Sequence, residues 1–205
     1  MKLKVCGMRE LENISALSEL EPNFIGFIFW AKSSRFVDKK TPPLDKKIVK
    51  TGVFVDATFD YILTKIKDHN LDAVQLHGQE SYSYCKVIKD YGLKVIKSFS
   101  INNTFDFNTL EDYENFCDYY LFDTKGKLPG GNGLTFDWEV LNEYPSHKPF
   151  FISGGIGIDS LNEIKKLENT KLPLYAVDVN SKFETAPGKK NIELLKKFKK
   201  EIDEL

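Results

Sequence analysis

The sequence predicts a protein of the α/β class folded as a single (β/α)8 barrel, and three observations indicate this. Eight short runs rich in β-branched and aromatic residues recur along the 205 residues, with helical patterns between them. The runs recur at intervals of about 24 residues, which is room for one strand, one crossover helix and two short loops. Eight such units favour closure of the parallel sheet into a barrel. An open, doubly wound sheet is the alternative.

The predicted strands are the eight apolar runs, and each ends close to a polar residue or a glycine. They are LKVC (3–6), FIGFIFW (24–30), TGVFV (51–55), DAVQLH (72–77), LKVIKSFS (93–100), YYLFDT (119–124), PFFISGG (149–155) and LYAVDV (174–179). Apolar residues at helical spacing predict crossover helices over 9–20, 57–70, 156–169 and 189–205. The second and sixth helices should be short or irregular, because DKKTPPLDKK (38–47) and GKLPGGNGL (126–134) interrupt them.

The composition is that of an ordinary globular chain, which we expect to form one domain over residues 1–205. A net charge of −1 argues against a nucleic-acid partner, and the longest apolar run, FIGFIFWA, is far shorter than the ~20 residues of a membrane span. Three widely spaced cysteines, Cys6, Cys85 and Cys117, form neither a disulfide framework nor a metal pattern. We therefore expect a cytoplasmic protein without a metal site.

Reactive residue types gather at the carboxyl ends of the predicted strands, where barrels of this kind build their active sites. These residues are Cys6, Asp56, His77, Ser98, Asp123, Ser153, Gly154 and Asp178. Structural roles stay open for several of them. Cys6 could be a small core residue, Asp56 could cap the following helix, and His77 could be a hydrogen-bonded loop histidine.

Two segments near the end of the chain predict a phosphate site. ISGGIGIDSL (152–161) is a strand that ends in Gly154 and Gly155, and VDVNSKFE (177–184) places Asn180 and Ser181 where a short helix can begin. Glycines let backbone approach an anion, and free N–H groups at a helix start bind it. The basic residues Lys182 and Lys189 are the alternative anion ligands.

The alternation of side chains along the strands predicts an ion pair inside the barrel. Lys4 shares a face with Cys6, and Asp178 lies on strand 8, which becomes the neighbour of strand 1 when the barrel closes. A buried lysine requires a partner, so we expect Lys4 to pair with Asp178.

Seven motifs in order along nearly the whole chain resemble the phosphoribosylanthranilate isomerases of tryptophan biosynthesis. They are KVCGMRE (4–10), GFIFWAKSSRFV (26–37), TGVFVDAT (51–58), VQLHGQE (74–80), LFDTKGKLPGGNGLTFDW (121–138), FISGGI (151–156) and VDVNSKFETAPGKKN (177–191). The chain departs from the family pattern at Ser34, Leu134 and Asn180, where proline, lysine and serine are common.

The resemblance implies an Amadori rearrangement of N-(5-phosphoribosyl)anthranilate, a phosphorylated sugar-amine, without metal or cofactor. It implies that Cys6 is the general base, Asp123 the general acid and Arg35 the residue that binds the anthranilate carboxylate, with His77 and Asp178 in the substrate site. A cysteine base at neutral pH requires a pKa lowered by nearby positive charge or helix dipoles. We expect a monomer rather than a dimer.

Four alternatives differ from this assignment in activity. A metal-dependent epimerase would need a set of His and Asp residues over the strand ends that closes a metal shell, and the sequence shows no such set. Indole-3-glycerol-phosphate synthase would bring catalytic lysines and an N-terminal extension. The tryptophan synthase α subunit would bring acidic catalytic residues near strands 2 and 4. A phosphate-binding barrel without catalytic activity would have no need of both Cys6 and Asp123.

Overall fold

The computed structural model describes residues 1–124 and 138–205, and these form a closed barrel of eight parallel strands in sequence order. Hydrogen bonding between the first and eighth strands closes the sheet, which excludes the open alternative. The barrel strands are β1 (Lys2–Val5), β2 (Phe24–Ile28), β3 (Val49–Phe54), β4 (Ala73–Leu76), β5 (Lys94–Ile101), β6 (Tyr119–Thr124), β7 (Phe150–Ser153) and β8 (Leu174–Val179). The predicted bounds agree to within two residues at each end.

Five α-helices lie among the described residues, and side-chain caps fix where three of them begin. They are α1 (Leu11–Ser18), α2 (Phe59–His69), α3 (Tyr82–Asp90), α4 (Leu161–Glu168) and α5 (Ile192–Asp203). Thr58, Ser81 and Asn191 each accept a hydrogen bond from a backbone N–H of the first turn, which supplies a partner that the helix itself cannot.

Three of the crossover connections contain no α-helix in the described residues. In the connection from β6 to β7, the described part contains a 3-10 helix at Trp138–Glu143. Residues 29–48 between β2 and β3 are irregular, as predicted, because Pro42 and Pro43 lack the N–H groups that a helix needs. The connection from β5 to β6 is a 3-10 helix at Phe107–Tyr113, which the sequence pattern did not predict. The predicted interruption at 126–134 lies outside the described residues.

The chain after β8 differs from the prediction in a way that affects the site. The predicted helix over 189–205 begins only at Ile192. Lys189–Lys190 (β10) instead pairs antiparallel with Glu184–Ala186 (β9), which forms a hairpin beside the barrel mouth. A 3-10 helix at Ser181–Phe183 follows Asn180, in agreement with the short helix predicted there.

The barrel interior is filled at the end where the strands begin. Five buried apolar side chains cluster there: Phe24, Ile96, Leu121, Phe151 and Ala176. Edge-to-face contacts join the rings of Phe24 and Phe151 at a centroid distance of 5.1 Å. This apolar layer fills the interior at the amino ends of the strands, and the cavity lies at their carboxyl ends. None of the helices in the described parts of the chain has the length and apolar character of a membrane span.

Candidate active site

A cavity of about 310 Å³ opens at the carboxyl ends of the strands. Eight of the nine residues predicted for catalysis, substrate binding or phosphate binding contribute to its wall: Cys6, His77, Asp123, Gly154, Gly155, Asp178, Asn180 and Ser181. Ser153, one of the reactive residues predicted at the strand ends, also lines the cavity. The sequence missed Gln75 and an apolar side formed by Ile28, Trp30, Val53 and Val55. The exception among the nine is Arg35.

The predicted ion pair between Lys4 and Asp178 is confirmed. The two residues are direct neighbours in the β1–β8 register, and Lys4 Nζ lies 2.8 Å from Asp178 Oδ2. Lys4 is completely buried. Burial disfavours its ammonium group, but the attraction of Asp178 and Cys6 outweighs burial and raises the pKa of Lys4. A buried positive charge therefore lies close enough to act on Cys6, and the carboxylate of Asp178 balances it.

Cys6 follows β1 and its side chain lies against the backbone of β2. A Cβ atom at Gly26 would come within 2.8 Å of Cys6 Sγ, so the glycine on β2 makes room for the thiol. Burial raises the pKa of the Cys6 thiol, while Lys4 and Lys190 act in the opposite direction. The lowered pKa that a cysteine base requires is thus absent from this structure, although two cations that favour the thiolate are in place.

A chain of polar contacts runs along the wall from β5 to β6. Ser98 Oγ lies 3.1 Å from Gln75 Nε2, which lies 2.9 Å from His77 Nδ1. His77 Nε2 lies 3.4 Å from Asp123 Oδ2. Ser98 and Gln75 are buried, whereas His77 and Asp123 are partly exposed to the cavity. The geometry places His77 beside Asp123.

The prediction that Asp56 could cap the following helix is wrong, because Thr58 provides that cap. The Asp56 side chain instead accepts a hydrogen bond from the N–H of Gln79, at 2.7 Å, in the loop that carries His77. A buried ion pair between Lys97 and Glu80, at 3.1 Å, supports the same loop. These contacts hold the backbone next to His77 in one conformation.

Arg35 lies outside the wall formed by the described residues and is paired with Glu184 of β9. Arg35 Nε donates to Glu184 Oε1 at 2.8 Å, and Nη2 donates to Oε2 at 2.6 Å. Lys190 Nζ contacts the same carboxylate at 2.6 Å and also Asn180 Oδ1 at 2.7 Å. Hydrogen bonds from Arg35 and Lys190 outweigh burial and lower the pKa of Glu184 to about 2.

The loop after β7 contains two glycines whose backbone has positive φ angles, a conformation that favours glycine. Gly154 and Gly155 have φ values of 104° and 64°, and a Cβ atom at Gly155 would meet no heavy atom within 4 Å. The loop after β8 brings Asn180 and Ser181 to the same cavity. Because Ser181 begins a 3-10 helix, the first N–H groups of that turn lack an intrahelical partner.

The two lysines considered as alternative anion ligands are exposed, and among the described residues neither belongs to the wall of the cavity. The buried cation in this region is Lys190, which the sequence analysis did not single out. The described ranges contain no group of three or more His, Cys, Asp or Glu side chains that could hold a metal ion.

The fold and this cavity define a (β/α)8-barrel enzyme. Its pocket is lined by a buried thiol, a carboxyl group, the glycine loop after β7 and the polar loop after β8. Comparison with known proteins refines this class. The family model for N-(5'-phosphoribosyl)anthranilate isomerase matches residues 3–201. The chain is 41% identical to the N-(5'-phosphoribosyl)anthranilate isomerase of Parabacteroides distasonis, over 98% of this chain and 93% of that protein. The chain belongs to the N-(5'-phosphoribosyl)anthranilate isomerase family.

Solved structures agree with this membership. A phosphoribosylanthranilate isomerase in complex with reduced 1-(o-carboxyphenylamino)-1-deoxyribulose 5-phosphate has a TM-score of 0.82 and 28% identity, with full coverage of both chains. Monomers generated from the dimeric Thermotoga maritima enzyme have a TM-score of 0.80 and 26% identity, again over both whole chains.

We expect the pKa of the Cys6 thiol to lie above the ordinary cysteine value of about 8.5, because burial raises it. Iodoacetamide labelling, followed by mass spectrometry of the Cys6 peptide as pH rises, measures the midpoint. Lys190→Met removes a cation that lowers this pKa and should move the midpoint further upward. Cys6→Ala supplies the background from the other two cysteines, both fully buried. A midpoint at or below the ordinary value would contradict the expectation.

Proposed function

We propose that the cavity binds N-(5'-phosphoribosyl)anthranilate with Cys6 as general base and Asp123 as general acid. Membership of the family assigns the chain the isomerisation of this compound to 1-(2-carboxyphenylamino)-1-deoxyribulose 5-phosphate in tryptophan biosynthesis. The observation that carries the assignment of roles is the position of the two groups. One follows β1 and the other lies on β6, and both face the same cavity.

The reaction needs two proton transfers, one for each group. Asp123 gives a proton to the furanose ring oxygen while the bond from that oxygen to C1 breaks, which leaves an iminium ion. Cys6 then takes the proton from C2, and the electrons of that C–H bond neutralise the iminium nitrogen. The resulting enol-amine becomes the ketone product. Each such acid or base contributes about 10²–10⁴-fold to a rate.

The environment of Cys6 supports a thiolate at the step that needs one. Lys4 and Lys190 already favour the anion, although burial opposes it. The iminium ion formed in the first step adds a third positive charge next to C2. Attraction between this cation and the thiolate grows as the ring opens. The thiolate is therefore stabilised at the step in which it removes the proton from C2.

Arg35 is proposed to bind the anthranilate carboxylate through the edge that Glu184 leaves unused. Glu184 occupies the Nε and Nη2 edge of the guanidinium group. The second edge, formed by Nη1 and Nη2, can still receive a planar carboxylate in a bidentate manner. Ile28, Trp30 and Val53 provide an apolar side of the cavity that suits the aromatic ring.

The phosphate is proposed to bind at the loops after β7 and β8, through backbone N–H groups near Gly154, Gly155, Asn180 and Ser181. The side chain of Asn180 is already hydrogen bonded to Lys190, which favours a backbone contact at this position. His77 and Asp178 complete the site between the phosphate and the ring. This assignment uses no cofactor or metal.

We further propose one domain over residues 1–205 that acts as a cytoplasmic monomer on a small phosphorylated substrate, without nucleic-acid or membrane partners. The three cysteines are buried and form no disulfide with one another, as is typical of proteins in a reducing compartment. Among the described residues, the exposed large apolar side chains are distributed over several elements: Leu11, Trp30, Tyr82, Val87, Tyr91 and Ile158. A dimer, as described for the Thermotoga maritima enzyme, is the other outcome that sedimentation would reveal.

Cys6→Ala and Asp123→Asn should each lower kcat by about 10²–10⁴-fold, because each removes one proton transfer. Binding of the reduced product analogue, measured by calorimetry, should change little. Cys85→Ala is the matched control, since it removes a fully buried thiol outside the cavity wall and should leave kcat intact. Preserved kcat in the Cys6 or Asp123 variant would refute its role. A wild-type protein without turnover would instead support a binding barrel.

Gly155→Ala should raise KM for the phosphorylated substrate about tenfold or more, because the added methyl group enters the open space beside the loop and crowds the phosphate away from a backbone N–H. Loss of one charge-assisted hydrogen bond costs ~1.5–3 kcal/mol. It should also weaken competitive inhibition by inorganic phosphate. Gly92→Ala is a matched control. Both glycines have positive φ, 64° and 88°, and open space at the Cβ position, but Gly92 follows α3 at the other end of the barrel. Equal KM values for the two variants would contradict a phosphate site at Gly155.

Arg35→Ala should weaken binding of anthranilate-bearing ligands about tenfold or more, and much more than binding of a ribulose phosphate without the ring. Glu184→Gln should have a smaller effect in the same direction, because the guanidinium group loses its charged partner but keeps its own charge. Competition binding with the two ligand types measures the difference. Equal losses for both would make Arg35 a general anion contact or a structural residue.

A further inference from the structure

Gln75 is a buried polar residue on β4 whose role is not explained by the fold. Its side chain is 1% exposed and contributes to the wall of the cavity. Its Nε2 atom lies within hydrogen-bond distance of two groups, His77 Nδ1 at 2.9 Å and Ser98 Oγ at 3.1 Å. Its Oε1 atom is buried and has no partner within residues 1–124 and 138–205.

Hydrogen bonding decides which way the amide of Gln75 points. With nitrogen towards His77 and Ser98, both N–H groups donate and one carbonyl oxygen lacks a partner. The reverse orientation would satisfy the oxygen but leave two N–H donors buried without acceptors. Buried N–H groups without partners are rarer in proteins than carbonyl groups that lack one. The observed orientation is therefore the less costly one.

This orientation fixes the position of the proton on His77. Because Gln75 Nε2 donates to His77 Nδ1, that ring nitrogen must be the acceptor, and the neutral imidazole carries its proton on Nε2. His77 Nε2 lies 3.4 Å from Asp123 Oδ2, so this tautomer carries its proton on the ring nitrogen next to the carboxyl group. We propose that Gln75 is a positioning residue that holds His77 as the Nε2–H tautomer and thereby aims a hydrogen-bond donor at Asp123.

This role rests on the proposed function of Asp123 as the acid. When Asp123 gives its proton to the ring oxygen, a carboxylate forms, and the His77 N–H stabilises the negative charge that develops. The same contact occupies Oδ2 and leaves Oδ1 for the substrate. The opposite tautomer would present a lone pair to the new carboxylate, which repels it. Gln75 thus acts on catalysis through His77, without touching the reacting atoms.

The test is ¹⁵N NMR of the histidine ring nitrogens at about pH 8, where an ordinary imidazole is neutral. The chain has three histidines, and His77→Asn assigns the His77 signals by their loss. Wild-type protein should show the proton on Nε2. Gln75→Glu puts an acceptor opposite Nδ1 and should move the proton there. Its kcat should fall about 10- to 100-fold, less than the ~10²–10⁴-fold of the acid itself.

Two further variants separate this role from a loss of folding. Gln75→Met keeps the volume without donor or acceptor and should give a mixture of tautomers, which keeps the test valid if the buried glutamate does not fold. Val74→Ala truncates a buried neighbour on the other face of β4 and should leave the tautomer and kcat unchanged. The proposal is overturned by an Nδ1–H tautomer in the wild type, or by an unchanged tautomer or kcat in both Gln75 variants.

The tautomer is measured without turnover, so it is independent of the assignment of the acid. If Asp123→Asn keeps full kcat while the Gln75 variants shift the proton, the proposed function fails and the positioning of His77 stands. If Asp123→Asn is inactive but the Gln75 variants leave the ring nitrogens unchanged, the positioning role fails alone.

Discussion

The buried ion pair between Lys4 and Asp178 is the interaction on which the site depends. It joins β1 to β8, the pair of strands whose hydrogen bonding closes the barrel. Removing one partner of a buried pair leaves an uncompensated charge, so the two residues constrain each other and the strands that carry them. The pair also fixes a cation below Cys6, so the contact that closes the sheet sets the electrostatics of the cavity.

A second charged cluster governs the rim on the same side. Arg35 donates to both carboxylate oxygens of Glu184, and Lys190 donates to one of them. Lys190 also donates to the side-chain oxygen of Asn180. This cluster joins the loop after β2 to the hairpin formed by β9 and β10. The groups proposed to bind the anthranilate end and the phosphate end of the substrate therefore belong to one network of ion pairs and hydrogen bonds. Each charged group in it has its partner before substrate binds.

The side of the cavity that leads to Asp123 is built from polar side chains that hydrogen bond to one another. Ser98, Gln75 and His77 are arranged in series towards Asp123, and the loop that carries His77 is fixed by Asp56 and by the Lys97–Glu80 pair. The cavity thus has two ion pairs, Lys4–Asp178 and Lys190–Glu184, on the side of Cys6 and a hydrogen-bonded series of polar side chains on the side of Asp123. This asymmetry suits a reaction in which one group accepts a proton and the other gives one.

The sequence by itself determined the barrel, its eight strands and most of the cavity wall. Those features follow from local periodicity and from the rule that sites form at the carboxyl ends of parallel strands. Closure of an eight-stranded barrel places strand 1 beside strand 8, so side-chain alternation was enough to pair Lys4 with Asp178 although they are 174 residues apart. Only the tertiary structure decided the partner of Arg35, because Arg35 lies in a loop outside the barrel strands and strand alternation does not relate it to Glu184. It also decided that burial raises the pKa of Cys6, that Thr58 and not Asp56 caps α2, and that Gln75 contacts His77. Burial and long-range contacts depend on how all the elements pack together, and no local pattern encodes them.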